Sequence, residues 1–356
     1  MAEAVRTPHD QEARSGRRGV SYAPHRRGGH RGRVARTAAR LRERAAVTAY
    51  RGSSAVMGSV PLGLSVPAAR AMFGAAYHLW PPKRRYILAN AAHVLQGSPD
   101  DPQVRRLARR VYATYARYVV ELMRLPSRPA HEAAELVVAA GERGGDSFES
   151  MHRELAADGR GMIAVAAHIG NIEALAAAFA ARGWPTYAVA DDSAYPELYE
   201  LLARQRRSWG VEVISWRNLR EMYRVLRRGA ILGLLVDWGY RSDGVPVRLF
   251  GAWTTLPAGP ALLAARTGAR IVPVVSRRQP DGRFVASHLD PIDVADASPA
   301  EIARGTQAIA RALEVMIEPA PEQWYIFKPI WPESALEAAE LEKRWCHMTG
   351  TAEEGP

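Results

Sequence analysis

A histidine and a glutamate five positions apart are the residues best suited to do chemistry in this chain. His168-Ile-Gly-Asn-Ile-Glu173 follows a short apolar run, Met162 to Ala167, and leads into an Ala-rich segment. A neutral imidazole accepts a proton, and a carboxylate in the next helical turn can fix its tautomer and make it a better base. The pattern therefore predicts an enzyme that uses His168 as a general base. The competing interpretation is an ordinary histidine followed by an acid at a helix start.

The flanking sequence predicts how this histidine is held. The apolar run is typical of an interior strand, and Asn171 is well placed as the N-cap of the helix that follows. A histidine at the carboxyl end of such a strand lies where open α/β sheets bind their ligands. Gly170 permits close backbone approach, and N–H groups at a helix start can bind a developing oxyanion. Gly170 and Asn171 are therefore predicted to bind substrate.

A second carboxylate also follows an apolar strand. Asp237 comes directly after the run Ile231 to Val236, as His168 does after its own strand. Neighbouring strands would bring the two together, and a buried carboxylate that orients a histidine is the logic of a catalytic dyad. The alternative is a turn-forming aspartate before a β-hairpin. The sequence leaves open whether Glu173 or Asp237 is the partner of His168.

Three arginines and one glycine are candidates for binding substrate or its phosphate. Arg206 and Arg207 lie in a basic run just before a predicted strand, and guanidinium groups suit phosphate. A solvated helix face explains the same run equally well. Arg241 lies in the segment after Asp237, and Gly259 lies in a predicted helix N-terminus that could take a phosphate.

From about residue 147 the pattern alternates between strands and helices, which predicts an α/β fold with a central mixed, mostly parallel sheet flanked by helices. Two helices are expected within residues 84–124, and a last helix from Pro299 to Ile317. The predicted regions are a disordered basic arm (1–46), a helical membrane-proximal region (47–130), the α/β core (131–335) and a C-terminal tail (336–356).

The charge of the chain is concentrated at its start. The net charge is +11, and residues 1–46 supply +8 of it through twelve arginines and four acids. The remainder lacks the aromatic-basic interleaving of a nucleic-acid-binding protein, so no nucleic-acid partner is expected. Cys346 is the only cysteine, which excludes an intramolecular disulfide and favours a reducing, cytoplasmic setting. No secretory signal is visible.

One uncharged segment could meet a membrane. Residues 52–69 carry no charge, but their prolines, glycines and serines make a poor spanning helix. Aromatic and apolar residues follow, and then the cluster Lys83-Arg84-Arg85. This order suits a segment that lies in the headgroup layer, so the sequence predicts peripheral attachment to the membrane. A helical subdomain that packs on the core is the alternative.

Taken in order, these segments resemble the bacterial late-acyltransferase family, which includes lipid A biosynthesis acyltransferases and actinobacterial phosphatidylinositol mannoside acyltransferases. The resemblance covers about residues 83–331. It is carried by five pieces: His168-Ile-Gly-Asn-Ile-Glu173, Arg206-Arg207-Ser-Trp-Gly210, Asp237 through Phe250-Gly251, Pro257-Ala-Gly-Pro260 and Pro321-Glu-Gln-Trp324.

The resemblance implies an acyltransferase-type α/β/α sandwich at the cytoplasmic face of the cell membrane. It implies transfer of a fatty acyl group from acyl-CoA or acyl carrier protein to a sugar or lipid hydroxyl, with no cofactor beyond this co-substrate and no metal. His168 would be the general base, with Glu173 or Asp237 as its acid partner, and Arg206 or Arg207 would bind phosphate. The Arg- and Ala-rich composition favours the mannoside branch.

Other functions stay open at this level. The same chemistry could act on a lysophospholipid, another glycolipid or a secondary-metabolite hydroxyl. A non-enzymatic lipid-binding relative is the alternative from another class. The presence of His168 together with two candidate acids argues against it.

Overall fold

The computed structural model describes residues 30–125, 128–139, 147–192 and 195–351. The chain divides into two compact units, with the boundary between Arg42 and Glu43. In the first unit the chain is helical from His30, which lies within the range 1–46 predicted as a disordered arm. Arginine and alanine are strong helix formers, so this composition is compatible with a helix. Residues 1–29 of the predicted arm lie outside the described residues.

Helices occupy the region before the sheet. In chain order they are α1 (His30–Ser59), α2 (Leu62–Leu79), α3 (Pro81–Val94), α4 (Pro102–Arg124) and α5 (Ala130–Glu135). The prediction of two helices within residues 84–124 is confirmed by α3 and α4. The uncharged segment 52–69 is divided between α1 and α2, with Pro61 as the residue before α2. Among the described helices, none has both the length and the apolar content needed to cross a membrane.

The described residues form nine strands. They are β1 (Val137–Ala139), β2 (Met162–Ala166), β3 (Thr186–Ala190), β4 (Val211–Ser215), β5 (Ile231–Leu235), β6 (Val245–Leu249), β7 (Ala252–Leu256), β8 (Arg270–Arg278) and β9 (Phe284–His288). Seven of these described strands form one sheet in the order β1-β9-β8-β2-β5-β3-β4. The alternating pattern predicts the strands of this main sheet except β1, which the sequence did not indicate. Strands β8, β2, β5, β3 and β4 run parallel, whereas β9 is antiparallel to β8. The predicted mixed, mostly parallel sheet is confirmed.

Helices cover both faces of this sheet. They are α6 (Ser147–Ala157), α7 (Ile172–Ala181), α8 (Pro196–Ser208), α9 (Leu219–Leu226), α10 (Gly259–Thr267) and α11 (Pro299–Ile317). One core cluster joins the sheet to α9, α10 and α11, and a second joins the opposite face to α6 and α7. Strand β2 lies between the two layers, and all five of its residues are buried. Such a strand needs the continuous apolar run that its sequence shows.

A hairpin follows Asp237, as the alternative interpretation of this segment supposed. Its strands β6 and β7 pair antiparallel outside the main sheet. A further helix, α12 (Ala335–Thr349), occupies most of the range 336–356 predicted as a tail. Its Arg344 donates hydrogen bonds to the carbonyl oxygens of Ser242 and Gly244, 2.6 Å each. These contacts fasten α12 to the start of the hairpin.

Candidate active site

His168 and Asp237 occupy matching positions at the ends of two adjacent parallel strands. Ala166 of β2 pairs in register with Leu235 of β5. His168 comes two residues after Ala166, and Asp237 comes two residues after Leu235. The same register therefore places their side chains next to each other. The carboxyl edge of the sheet at adjacent strands is where open α/β folds bind ligands.

The two side chains form a close pair. His168 Nδ1 lies 2.7 Å from Asp237 Oδ1. The second carboxylate oxygen, Oδ2, accepts hydrogen bonds from the backbone N–H of His168 at 2.9 Å and from the indole N–H of Trp324 at 2.8 Å. The Asp237 side chain is 1% exposed and that of His168 is 30% exposed. The carboxylate is thus buried and fully engaged, and the imidazole reaches the surface.

This arrangement fixes the protonation of the imidazole. Because the carboxylate accepts at Nδ1, the neutral ring carries its proton there, and Nε2 keeps a lone pair. Burial favours a neutral His168, but the charge and hydrogen bond of Asp237 outweigh it and raise the pKa of His168 above its ordinary value. Burial also disfavours a charged Asp237, yet its contacts with His168 and Trp324 lower the pKa of that carboxyl. The pair therefore behaves as a base backed by an ionised acid.

Glu173 has a different partner. It accepts two hydrogen bonds from Arg206, one of them from Nε at 2.9 Å, and both side chains are largely buried. Burial would raise the pKa of Glu173, but the charge of Arg206 and its hydrogen bonds lower it. The open choice between the two acids is thereby decided, since Asp237 and not Glu173 is hydrogen-bonded to His168.

Two tyrosines surround this Glu173–Arg206 pair. Tyr50 of α1 donates a hydrogen bond to Gln205 at 2.9 Å, and burial followed by the charge of Glu173 raises its pKa to about 12. Tyr118 of α4 is also buried, and the same two causes raise its pKa. The pair is therefore enclosed by the N-terminal helices as well as by α7 and α8.

The turn between His168 and α7 is built around a glycine. Gly170 has φ +60°, and an added Cβ would lie 1.7 Å from the carbonyl oxygen of Ser276 in β8. Its N–H donates to Gln323 at 3.3 Å, and the N–H of Asn171 donates to Ser276 at 3.4 Å. The Asn171 side chain caps α7 by accepting from Ala174 N at 3.1 Å, as predicted. Because both N–H groups already donate within the protein, an oxyanion bound by Gly170 or Asn171 would have to replace these hydrogen bonds.

The other predicted substrate-binding residues lie away from the dyad. Arg207 pairs with Glu212 of β4 at 3.6 Å, and Arg241 makes two hydrogen bonds to Asp243 at 3.0 and 2.9 Å. Gly259 opens α10, and an added Cβ there would meet open space. Within the described part of the chain, no hydrogen bond or ion pair joins any of these three residues to His168.

The sequence analysis assigned no role to four residues at the site. Trp324 follows a 3-10 turn, Pro321–Gln323, and the next residue, Tyr325, donates its N–H to the carbonyl oxygen of His168 at 2.9 Å. Trp238 stands edge-on to His168, with ring centroids 5.9 Å apart. The ammonium of Lys328 lies 4.9 Å from the Trp238 ring centroid. Trp238 and Trp324 both lie in matched segments, Asp237 through Gly251 and Pro321-Glu-Gln-Trp324, but neither segment indicated which groups they contact.

An apolar cavity of about 90 Å³ lies beside the site, between the sheet and α7. Its walls come from β2, β3, β5 and α7, and Glu173 and Arg206 also line it. Leu175 and Phe179 of α7 and Leu235 of β5 are among its apolar side chains. In the described residues, no group of three or more His, Cys, Asp or Glu side chains is placed to hold a metal ion.

The comparison with known families agrees with this geometry. A family profile described as bacterial lipid A biosynthesis acyltransferase matches residues 56–333. The chain belongs to that family. The acyltransferase match runs from the end of α1 to just beyond Trp331, so it includes every residue of the dyad and its surroundings.

Curated relatives narrow the resemblance. The acyltransferase is 29% identical to a phosphatidylinositol mannoside acyltransferase of Mycolicibacterium smegmatis over 240 residues, 65% of this chain and 73% of the relative. It is 28% identical to a protein of the same name from Mycobacterium tuberculosis over 275 residues, 76% and 83% of the two chains. Family membership makes this chain an enzyme that transfers acyl groups.

Proposed function

We propose that the protein transfers a fatty acyl group from an acyl thioester to a hydroxyl of a glycolipid, with a phosphatidylinositol mannoside as the favoured acceptor and His168 as general base. The His168–Asp237 pair is the observation that carries this proposal, because it offers a partly exposed imidazole backed by a buried carboxylate. The names of the mycobacterial relatives supply the acceptor class. The donor is acyl-CoA or acyl carrier protein, and the reaction needs no cofactor besides this co-substrate.

The steps follow from the geometry. Nε2 of His168 removes the proton from the acceptor hydroxyl as its oxygen attacks the thioester carbonyl. Asp237 stabilises the imidazolium that forms, and Trp324 keeps the carboxylate in place. When the tetrahedral intermediate collapses, the C–S bond breaks, and the departing thiolate takes the proton from His168. An ester and a free thiol leave, and the base is regenerated.

The apolar cavity between the sheet and α7 is the proposed site of the fatty acyl chain. Its aliphatic and aromatic walls suit a hydrocarbon, and burial of each CH₂ contributes about 0.8 kcal/mol. It lies beside Glu173, which follows His168 by five residues along the chain. An acyl chain in this cavity would bring its thioester toward the dyad.

Attachment to the cytoplasmic face of the membrane is proposed for the N-terminal helices. Large apolar side chains are exposed on and around α2: Val56, Leu62, Leu64, Met72, Leu79 and Trp80. The basic cluster Lys83-Arg84-Arg85 follows directly. Apolar side chains beside basic ones favour an interfacial position over a spanning one.

The experiment that tests the function identifies the product. Purified protein is incubated with palmitoyl-CoA labelled in the acyl chain and with a polar-lipid extract that contains phosphatidylinositol mannosides. We expect free thiol release that depends on added lipid, and label in a mannoside band. If the label appeared instead in the acylated product of a lysophospholipid or of another glycolipid, the proposed acceptor would be wrong, but the proposed acyl transfer would stand. Failure with both palmitoyl-CoA and palmitoyl-acyl carrier protein would overturn the proposal.

A further inference from the structure

The arginines expected to bind phosphate are engaged elsewhere. Arg206 is held by Glu173, Arg207 by Glu212 and Arg241 by Asp243. Each guanidinium is therefore already balanced by a carboxylate of the protein. A phosphate-bearing substrate at the dyad would need a different cation.

Lys328 is that cation. Its ammonium lies over the ring of Trp238, 4.9 Å from the centroid, and the Trp238 ring stands 5.9 Å from the imidazole of His168. The distance from the ammonium to the imidazole centroid therefore cannot exceed the sum of these two distances. Lys328 is exposed, and it forms no ion pair with a carboxylate of the described residues. A cation over an indole is attracted to the ring face and is held there without being neutralised.

The backbone around this lysine is fixed from two sides. Asn90 of α3 donates a side-chain hydrogen bond to the carbonyl oxygen of Lys328 at 2.9 Å. On the other side, Tyr240 N donates to the carbonyl oxygen of Pro329 at 2.8 Å. Gly239, the residue before Tyr240, has φ +102°, and an added Cβ there would lie 3.1 Å from the carbonyl oxygen of Pro329. The segments that carry Trp238 and Lys328 are thus joined by their backbones.

The charge of Lys328 reaches the dyad. Burial lowers the pKa of His168, and Asp237 raises it. The charge of Lys328 also lowers this pKa, and the charge of Glu173 from α7 also raises it. These are the charged groups that face the imidazole from β5, α7 and the segment after Trp324. The contacts of the Trp238 ring with both side chains place an anion bound at Lys328 in the neighbourhood of the imidazole.

We propose that Lys328, held against Trp238, binds the phosphodiester of the lipid acceptor while His168 removes the proton from that acceptor's hydroxyl. This inference rests on the proposed acyl transfer and adds the ligand group that the site recognises. An acceptor phosphate fits better than a donor phosphate, because the whole pantetheine chain separates the thioester carbon of acyl-CoA from its nearest phosphate. In a mannosylated phosphoinositide only the sugar and the inositol ring separate the hydroxyl from the phosphodiester.

A binding measurement tests this without turnover. The chain contains three lysines, Lys83, Lys328 and Lys343, so the rate at which an amine-reactive reagent labels each can be followed by peptide mass spectrometry. Glycerophosphoinositol should slow the labelling of Lys328 but not that of the exposed Lys343, and inositol should slow neither. Protection by coenzyme A but not by glycerophosphoinositol would assign the site to the donor and overturn the proposal. Absence of protection by either would also overturn it.

Kinetics with matched variants give the second readout. Lys328→Gln should raise KM for a phosphate-bearing acceptor about tenfold, as expected for a charge-assisted hydrogen bond at an exposed site, with kcat little changed. Lys328→Arg should restore most of the affinity, and Lys343→Gln in α12 is the control. A fall in kcat with every acceptor, phosphate-free ones included, would assign Lys328 to the reacting oxygen and contradict the proposal. If the parent protein itself showed no acyl transfer, the proposed function would be refuted instead.

Discussion

Arg206 reaches from α8 to hold the carboxylate of Glu173 at the start of α7 with two hydrogen bonds. The second residue of the His-x₄-Glu pair therefore joins two helices and lies in the wall of the apolar cavity, and it does not orient the histidine. The chemistry of the site and the shape of its cavity thus depend on different carboxylates. Asp237 orients the catalytic histidine, and Glu173 lines the cavity.

Breaking the Glu173–Arg206 pair should destabilise the fold. Glu173→Gln leaves a buried guanidinium without its counter-charge, and removal of one partner of a buried pair costs about 3–5 kcal/mol. The free energy of unfolding in urea, followed by far-UV circular dichroism, measures the loss. Glu333→Gln is the matched control, because its pair with Arg85 is about 70% exposed and should contribute little. Equal stabilities for the two variants would contradict a buried role for Glu173.

Gly170 should tolerate alanine far less well than another glycine of similar conformation. Gly170→Ala combines a positive φ with a Cβ that would overlap the Ser276 carbonyl, so the turn after His168 must shift. Gly183→Ala has the same conformational cost of about 1–2 kcal/mol, but its Cβ meets nothing within 4 Å. Comparison of unfolding free energy and of turnover in the two variants separates sterics from conformation. Similar losses in both would argue against the close approach to β8.

The pH at which activity falls to half on the acid side should lie above the pKa of an ordinary histidine. The base form of His168 is required, and contact with Asp237 raises its pKa above 6.5. As pH falls through the raised pKa, the imidazole becomes protonated and kcat/KM declines. The measurement is kcat/KM for acyl-CoA against pH, with Asp237→Asn expected to move the acid limb to lower pH. An acid limb at or below pH 6.5 in the parent would disagree with the geometry of the pair.

Exposed apolar side chains of the N-terminal helices should support membrane binding. Leu79→Glu replaces a side chain that is 82% exposed at the end of α2, beside the basic cluster. We expect weaker cosedimentation with vesicles that contain anionic phospholipid. Leu219→Glu in α9 is the control, because that leucine is 55% exposed and lies outside the N-terminal helices. Equal effects of the two changes would remove α2 from the membrane contact.

Much of the sheet could be predicted because its strands are short, buried and apolar. The bounds of α11 match the predicted helix from Pro299 to Ile317, since its N-cap, its first proline and its apolar periodicity define it locally. The three-residue strand β1 could not be predicted, because its pairing with β9 depends on tertiary contact and not on its own sequence. The same holds for α12, whose position is set by the hairpin.

The sequence predicted the two residues of the dyad but not the contacts around them. His168 and Asp237 each end an apolar strand, so their proximity required only that β2 and β5 be neighbours. The pairing of Glu173 with Arg206 depends on how α8 packs beside α7, which no local pattern encodes. Likewise, the place of Lys328 follows from a backbone contact between segments almost ninety residues apart in sequence.

Replacement of His168 tests the central claim most directly. Lipid-dependent thiol release from palmitoyl-CoA is measured for the parent protein, His168→Ala and Asp237→Asn, with folding checked by circular dichroism and with Asp243→Asn as a surface-carboxylate control. We predict that His168→Ala lowers kcat by at least about 10²–10⁴-fold, that Asp237→Asn falls in the same direction, and that Asp243→Asn stays close to the parent. A folded His168→Ala protein with near-parental turnover would contradict the proposed mechanism.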